Sequence, residues 1–287
     1  MDVGVVGAGR VGTAVAVLLR RAGHRVLAAS GRDRSRERVE RFLAGVAFRS
    51  STETASAAEV VIVAVPDDRI ETVAREIGHG GGFRRGQAVV HLSGSAALAA
   101  LEAARESGAR TLSVHPLQTA PSVEDALERL PGSAVAVTAL DEEGYVLGEA
   151  LAIDIGGRPF RLADDRKPLY HAAAVFASNY VAAVAGIAER LFREAGLDDP
   201  VSLFGPLTEA TAANVARLGP AGALTGPAAR GDAGTVRANL EALRPLGAEV
   251  ADAYVALGRA AAGLATAAGR ISADDRARVE EVLRAWR

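Results

Sequence analysis

Apolar positions in the first half of the chain fall into short runs separated by amphipathic stretches. Val3–Val6, Arg25–Ala29, Ala88–Leu92 and Thr111–Val114 have the length and boundaries of strands. Val60–Val65 is a near-continuous β-branched run, as a strand buried on both faces requires, and Pro66 and Asp67 stop it. Helical periodicity covers Val11–Ala22, ended by Gly23, and Arg34–Leu43. Ala134–Thr138 and Pro159–Leu162 predict two further strands. Such alternation predicts an α/β fold with a doubly wound, mostly parallel sheet.

Past residue 163 the period changes. Strand-like runs disappear, and the pattern predicts helices over 168–195, 201–218, 234–243, 248–267 and 273–286. Two domains are therefore expected: an α/β domain over 1–163 and an all-helical domain over 164–287.

Composition narrows the class. With 49% hydrophobic and 24% charged residues the chain is globular rather than disordered. A net charge of -2 gives no sign of a nucleic-acid partner. The absence of cysteine excludes disulfides, thiol nucleophiles and cysteine-ligated metals, and no metal is expected. The N-terminal apolar run has no basic region before it, so a cytoplasmic protein is expected. The stretch 169–192 is the most lipid-like, but His171, Ser178, Asn179 and Glu189 interrupt it, which predicts a buried core helix and no membrane contact.

Gly7-Ala8-Gly9-Arg10-Val11-Gly12 sits between the first strand and the first helix. In that context a GxGxxG run is a dinucleotide fingerprint. Gly7 makes the turn, Gly9 admits a pyrophosphate to the backbone, and Gly12 brings helix and strand together. The helix N-terminus supplies free N–H groups and partial positive charge. At the end of the second strand, where an acidic residue would hold the ribose of NAD, stand Ser30, Gly31 and Arg32. A hydroxyl and a guanidinium suit a 2′-phosphate, so NADP is the expected cofactor. Val65, Pro66, Ser93 and Gly94 end strands on the same side and are expected to line the cofactor. Ser95 is placed to cap a following helix.

Three segments carry candidate chemistry. His115 ends a strand on the ligand side. Lys167 and His171 open the first helix of the second half, and at 100° per residue Lys167, His171 and Ser178 fall within about 40° of one another, with Asn179 further round. Thr225 and Arg230, in a Gly/Pro-rich loop, have the chemistry to bind a carboxylate, and Asp232 reads as the N-cap of the next helix.

Together the glycine motif, VHPLQTAPS (114–122), YHAAAVFASNY (170–180) and LTGPAARGD (224–232) resemble a bacterial family described as Rossmann-like with a C-terminal domain of unknown function. The resemblance covers nearly the whole chain. The wider superfamily joins an NAD(P)-binding Rossmann domain to a helical domain like that of 6-phosphogluconate dehydrogenase, and it includes ketopantoate reductases, pyrroline-5-carboxylate reductases, prephenate dehydrogenases and β-hydroxyacid dehydrogenases. The resemblance implies an NADP-dependent oxidoreductase of a small 2-oxo acid, with 2-dehydropantoate, in pantothenate biosynthesis, the first candidate. For such a reduction Lys167 or His171 is the expected proton donor to the developing alkoxide, His115 is a further catalytic candidate, and Ser178, Asn179, Thr225 and Arg230 are expected to orient the substrate; Lys167 matches the catalytic lysine of ketopantoate reductases in kind and location. Ketopantoate reductases carry an asparagine one turn after the lysine, where this chain has His171. The VHPL segment also resembles prephenate dehydrogenases, so an NADP-dependent prephenate-like or imine enzyme is an alternative, and a non-catalytic NADP-binding sensor is another. The Ala-rich helical half suggests a homodimer.

Overall fold

A computed structural model describes residues 1–286; Arg287, the last residue of the expected second domain, lies outside them. The chain divides into two units, Met1–Val181 and Ala182–Arg287. The division falls later than the change of period at residue 163, because the helix opening at Lys167 packs with the α/β unit.

The first unit holds strands β1 (Asp2–Val6), β2 (Arg25–Ser30), β3 (Ala47–Phe48), β4 (Val60–Val63), β5 (Ala88–His91), β6 (Arg110–Pro116), β7 (Ala134–Ala139) and β8 (Arg158–Arg161). Its helices are α1 (Arg10–Arg21), α2 (Asp33–Phe42), α3 (Ser51–Ser56), α4 (Ile70–His79), α5 (Glu102–Glu106), α6 (Val123–Arg129), α7 (Glu142–Asp154) and α8 (Lys167–Ala177). One sheet runs in the order β3-β2-β1-β4-β5-β6-β7-β8. All neighbours are parallel except β6 and β7. The chain reverses there, with 117–133 and its seven-residue α6 joining the two strands.

Strand β4 shows why the sheet is covered twice. Val60 and Ile62 belong to the apolar cluster that includes α1 and α7, while Val61 and Val63 belong to the cluster under α3, α4 and α5. Successive side chains point to opposite faces, so four apolar residues in a row serve two cores. Burying each contributes roughly 1.5–3 kcal/mol. The order of strands reverses between β1 and β4, and ligands of open α/β sheets bind beyond the strand ends at such a point.

The expected helix over 168–195 is two helices. Ser178, at φ -133° and ψ -70°, separates α8 from α9 (Asn179–Glu194). The polar stripe read along one continuous helix therefore ends at α8. Helix formation in this stretch is as expected but burial is not. Leu169 and Phe176 are 71% and 69% exposed, and Lys167 is the one buried residue of α8.

The second unit carries α10 (Pro200–Ala223), kinked at Gly219, then α11 (Ala233–Leu243), α12 (Ala248–Ala267) and α13 (Ala273–Ala285). Its core is Val236, Leu240, Val255, Ala262, Val279, Val282 and Leu283, which recur at helical spacing on the last three helices. Asp232 caps α11 as expected, its carboxylate accepting from the Thr235 N–H at 3.0 Å.

Candidate functional site

The glycine run lies where β1 gives way to α1. Gly7 has φ +93°, and a side chain there would meet the Ala64 carbonyl at 2.8 Å. A Cβ on Gly12 would come within 2.5 Å of the Gly7 carbonyl and 2.8 Å of Ala64 Cβ, so this glycine sets how closely α1 approaches the sheet. A Cβ on Gly9 would meet only the Gly7 carbonyl, at 3.9 Å. That open approach leaves room for a bulky group against the backbone. No side chain caps the N-terminus of α1, and its first turn contains no acid. Its free N–H groups and partial positive charge suit a pyrophosphate, so these residues fit a dinucleotide.

A cavity of about 860 Å³ runs from this turn across the strand ends. Gly9, Arg10, Val11, Arg32, Val65, Pro66 and Ser93 line it. Gly7, Ala8 and Gly12 sit behind it as its frame. Ser30 does not reach it. Its side chain is buried with its hydroxyl 3.3 Å from that of Ser51, and its carbonyl accepts the N–H groups of Gly7 and Ala8. The hydroxyl at the cavity edge belongs to Ser35 instead, beside Arg32, Arg34 and Arg38. Arg38 also donates to the Ala8 carbonyl at 3.2 Å, which ties α2 to the glycine turn.

A second cavity, of about 840 Å³, adjoins the first, and Gln118 and Ala120 line both. Its walls include His115 at the end of β6, Tyr170 and His171 on α8, and Ser178 and Asn179 at the helix break. Strand β6 and helix α8 thus bring together His115, His171, Ser178 and Asn179. His115 Nδ1 lies 2.9 Å from the Tyr170 hydroxyl, and the two rings meet edge to face with centroids 5.5 Å apart. The His171 ring is 6.5 Å from that of His115. Burial, helped by the positive charge of Lys167 and by His171, pushes His115 down to about 4. The imidazole is neutral at pH 7 and carries one N–H. Burial also pushes the Tyr170 phenol up to about 12, so it keeps its proton. Whichever tautomer His115 adopts, the pair shares one hydrogen bond and keeps one further donor.

Tyr170 was not among the residues singled out by sequence reasoning. Tyr170 stands next to His171 on α8, and its meeting with His115 of β6, 55 residues away in the chain, is set by the fold and leaves no local signal.

Lys167 is placed differently from the expected proton donor. It is 1% exposed, and its Nζ donates to the Ser93 carbonyl and to Ser113 Oγ, both at 2.8 Å. It lines neither cavity. Burial lowers it to about 8 against the opposing pull of Asp164 and Asp67. Ser95 is no helix cap. Its hydroxyl donates to Asp67 Oδ2 at 2.6 Å, while Ser93 Oγ accepts the N–H groups of Ser95 and Ala96. Partial burial pushes the Asp67 carboxyl up, but the Ser95 and Ser93 hydroxyls outweigh it and hold the group below its ordinary range. His91, fully buried behind the turn, accepts from the Ser93 N–H and has no partner for Nε2; burial and the charge of Lys167 lower it to about 3. Thr225 and Arg230 belong to the second unit. Among the described residues no cluster has metal-ligating character.

Residues 1–116 match the family described as a Rossmann-like domain, and residues 133–261 match the domain of unknown function DUF2520. The chain therefore carries an N-terminal Rossmann-like domain and a C-terminal DUF2520 domain, in line with the resemblance drawn from its motifs. Among solved structures, a provisionally named NADP oxidoreductase from Bacteroides fragilis is similar at 24% identity, with a TM-score of 0.77 over 91% of this chain and 98% of that one. A protein from Thermotoga maritima is 27% identical, with a TM-score of 0.70 over 94% of this chain and all of the other (100%). An imine reductase from Pseudomonas sp. is 18% identical, with a TM-score of 0.60 over 94% of each chain. No curated protein matches the sequence.

Proposed function

We propose that this Rossmann-like and DUF2520 chain is an NADP-dependent oxidoreductase that reduces a polar C=O or C=N bond of a small molecule. One observation carries the proposal. A glycine-framed nucleotide cavity and a second cavity lined by a half-buried His115–Tyr170 donor pair share Gln118 and Ala120 as a common wall. The names of the Bacteroides fragilis and Pseudomonas proteins agree with this class.

The bound cofactor supplies the hydride. The chain's own residues do the rest. The Gly9 backbone and the N-terminus of α1 would hold the pyrophosphate, and Arg32, Arg34 and Arg38, which line the same cavity, would pair with a 2′-phosphate. That is why NADP is preferred to NAD. The His115–Tyr170 pair hands a proton to the oxygen or nitrogen on which negative charge develops, and solvent restores it. Two neutral groups perform this step, so the pair needs no protonated imidazole at pH 7. His171 borders the same space and orients the substrate.

The wall given by the first unit contains no Arg or Lys, and so does not separate ketones from imines by charge. Within this reading a 2-oxo acid is the finer candidate, with 2-dehydropantoate the first to test; nothing in the site singles out the pantothenate pathway. A sensor that only binds the cofactor would have no use for a half-buried proton-donor pair beside it. NADPH oxidation across 2-oxo acids and cyclic imines is the test. Saturable turnover on one class fixes the reaction, whereas NADPH binding with no turnover on either moves the chain to the sensor reading.

We also propose that two copies pair through α8 and the start of α9. Leu169, Phe176 and Tyr180 are exposed, and no Asp, Glu, Lys or Arg occurs over 168–188. A face without charge offers nothing to a charged partner, while a two-fold pairing sets the same apolar side chains against one another.

A further inference from the structure

The turn Ser93-Gly94-Ser95 after β5 is fastened from several sides. Lys167 Nζ grips the Ser93 carbonyl and Ser113 Oγ, and Ser113 Oγ itself donates to the Ser93 carbonyl at 3.2 Å. The Ser93 N–H is held by His91 Nδ1 at 3.2 Å, and the Ser95 hydroxyl is held by Asp67. A buried ammonium is costly to desolvate and stays only where its hydrogen bonds are met. Here it spends them joining the end of β5 to the end of β6.

The fastened turn presents Gly94 to His115. A Cβ at Gly94 would fall 2.8 Å from Cε1, 2.9 Å from Nε2 and 3.0 Å from Nδ1 of the imidazole. The near-equal distances mean that the glycine backs the ring as a whole and does not point at a single atom. Its φ is outside the left-handed region, so the reason for glycine is space beside the ring and not backbone strain. With Gly94 on one side and Tyr170 on Nδ1, the ring has one place to be.

We infer that Gly94 and Lys167 are positioning residues for His115: the buried Lys167 locks the Ser93–Ser95 turn to β6, and Gly94 in that turn sets where the imidazole meets Tyr170. This rests on the reading of His115 as part of the proton donor. A change that displaces the ring by about 1 Å is expected to cost on the order of a hundredfold in turnover.

The test pairs kinetics with a readout that needs no substrate. Gly94→Ala and Lys167→Met are each made in the wild-type and in a His115→Asn background. In the wild-type background each is expected to lower kcat about tenfold to hundredfold while NADPH affinity stays within about twofold. In the His115→Asn background each is expected to add less than about twofold, because residues that act through one group are not additive. Ring titration of the histidines by NMR supplies the second measurement. Lys167, His171, Asp67 and Tyr170 surround His115, and removing the Lys167 charge should raise the His115 midpoint toward its ordinary value. If Gly94→Ala does not fold, Lys167→Met and Lys167→Gln carry the same comparison. Effects that multiply with His115→Asn, or a His115 titration unmoved in Lys167→Met, overturn the inference. A shifted His115 in a protein that turns over no substrate would retain the positioning and remove the proposed reaction.

Discussion

The hydroxyl of Tyr170 and Nδ1 of His115 are 2.9 Å apart at the wall of a cavity, and the proposed proton transfer rests on that pair. Neither group is charged at pH 7. Lys167, by contrast, is buried with its ammonium already bonded to Ser93 and Ser113. Sequence spacing brought Lys167, His171 and His115 to notice because of their side-chain types and strand or helix ends. It missed Tyr170 because a tyrosine on an apolar helix looks the same whether its hydroxyl meets water or an imidazole from another element. Arginine placement carries the cofactor prediction. Arg32 and Arg34 are exposed at the cavity edge, and Arg38 is partly covered. Arg32→Ala combined with Arg34→Ala should weaken NADPH binding by about a hundredfold or more, since each charged hydrogen bond to a phosphate contributes roughly 1.5–3 kcal/mol and about 1.4 kcal/mol is tenfold. NADH binding should be unchanged. Fluorescence titration of both cofactors reads the difference, and equal weakening of the two would remove these arginines from 2′-phosphate recognition.

At the scale of elements, the strands and the glycine turn were readable because their signals are local. β-branched runs, positive-φ glycines and caps such as Asp232 depend on a few neighbouring residues. Strand β3, two residues long, gave no such signal, and neither did the reversal at β7, which follows from how the segment 117–133 packs. The break at Ser178 was equally hidden, because its sequence neighbours favour helix on both sides. Strands β5 and β6 bring a prediction of their own. Each ends in a covered histidine, His91 held at about 3 and His115 at about 4. Unfolded, both would take up protons near their ordinary value of about 6.5. The unfolded chain therefore binds more protons in that interval. The stability tied to these residues is fully present above about 6.5 and is lost as pH falls toward 4 and then 3. Thermal melting followed from pH 7 to pH 4 should show Tm falling, with a shallower fall in His91→Gln. A slope unchanged by that variant would mean His91 is not neutral in the fold.

For the whole molecule, the telling feature is an apolar surface where a core helix was expected. The stretch Asp164–Glu194 is long and apolar enough to cross a membrane, yet none of its most apolar window is buried. Periodicity alone does not say what covers such a face, since a core, a second copy and a lipid all reward the same residues. The absence of charge over 168–188 is the observation behind the proposed pairing of two copies. Sedimentation of the full chain should give a dimer, and Phe176→Arg, which puts a charge at the centre of the face, should shift it to monomer. Binding to neutral lipid vesicles by a monomeric wild-type chain would assign the face to a membrane instead.

The account stands on a reductase whose proton comes from His115 and Tyr170. Single-turnover oxidation of bound NADPH, with the best substrate of a 2-oxo acid and cyclic imine panel, tests it most directly when wild type and His115→Asn are compared. The expected result is saturable hydride loss that slows by about a hundredfold to ten-thousandfold in the variant, with NADPH affinity retained. Equal rates in the two proteins, or tight NADPH binding with no oxidation on any substrate, would contradict it.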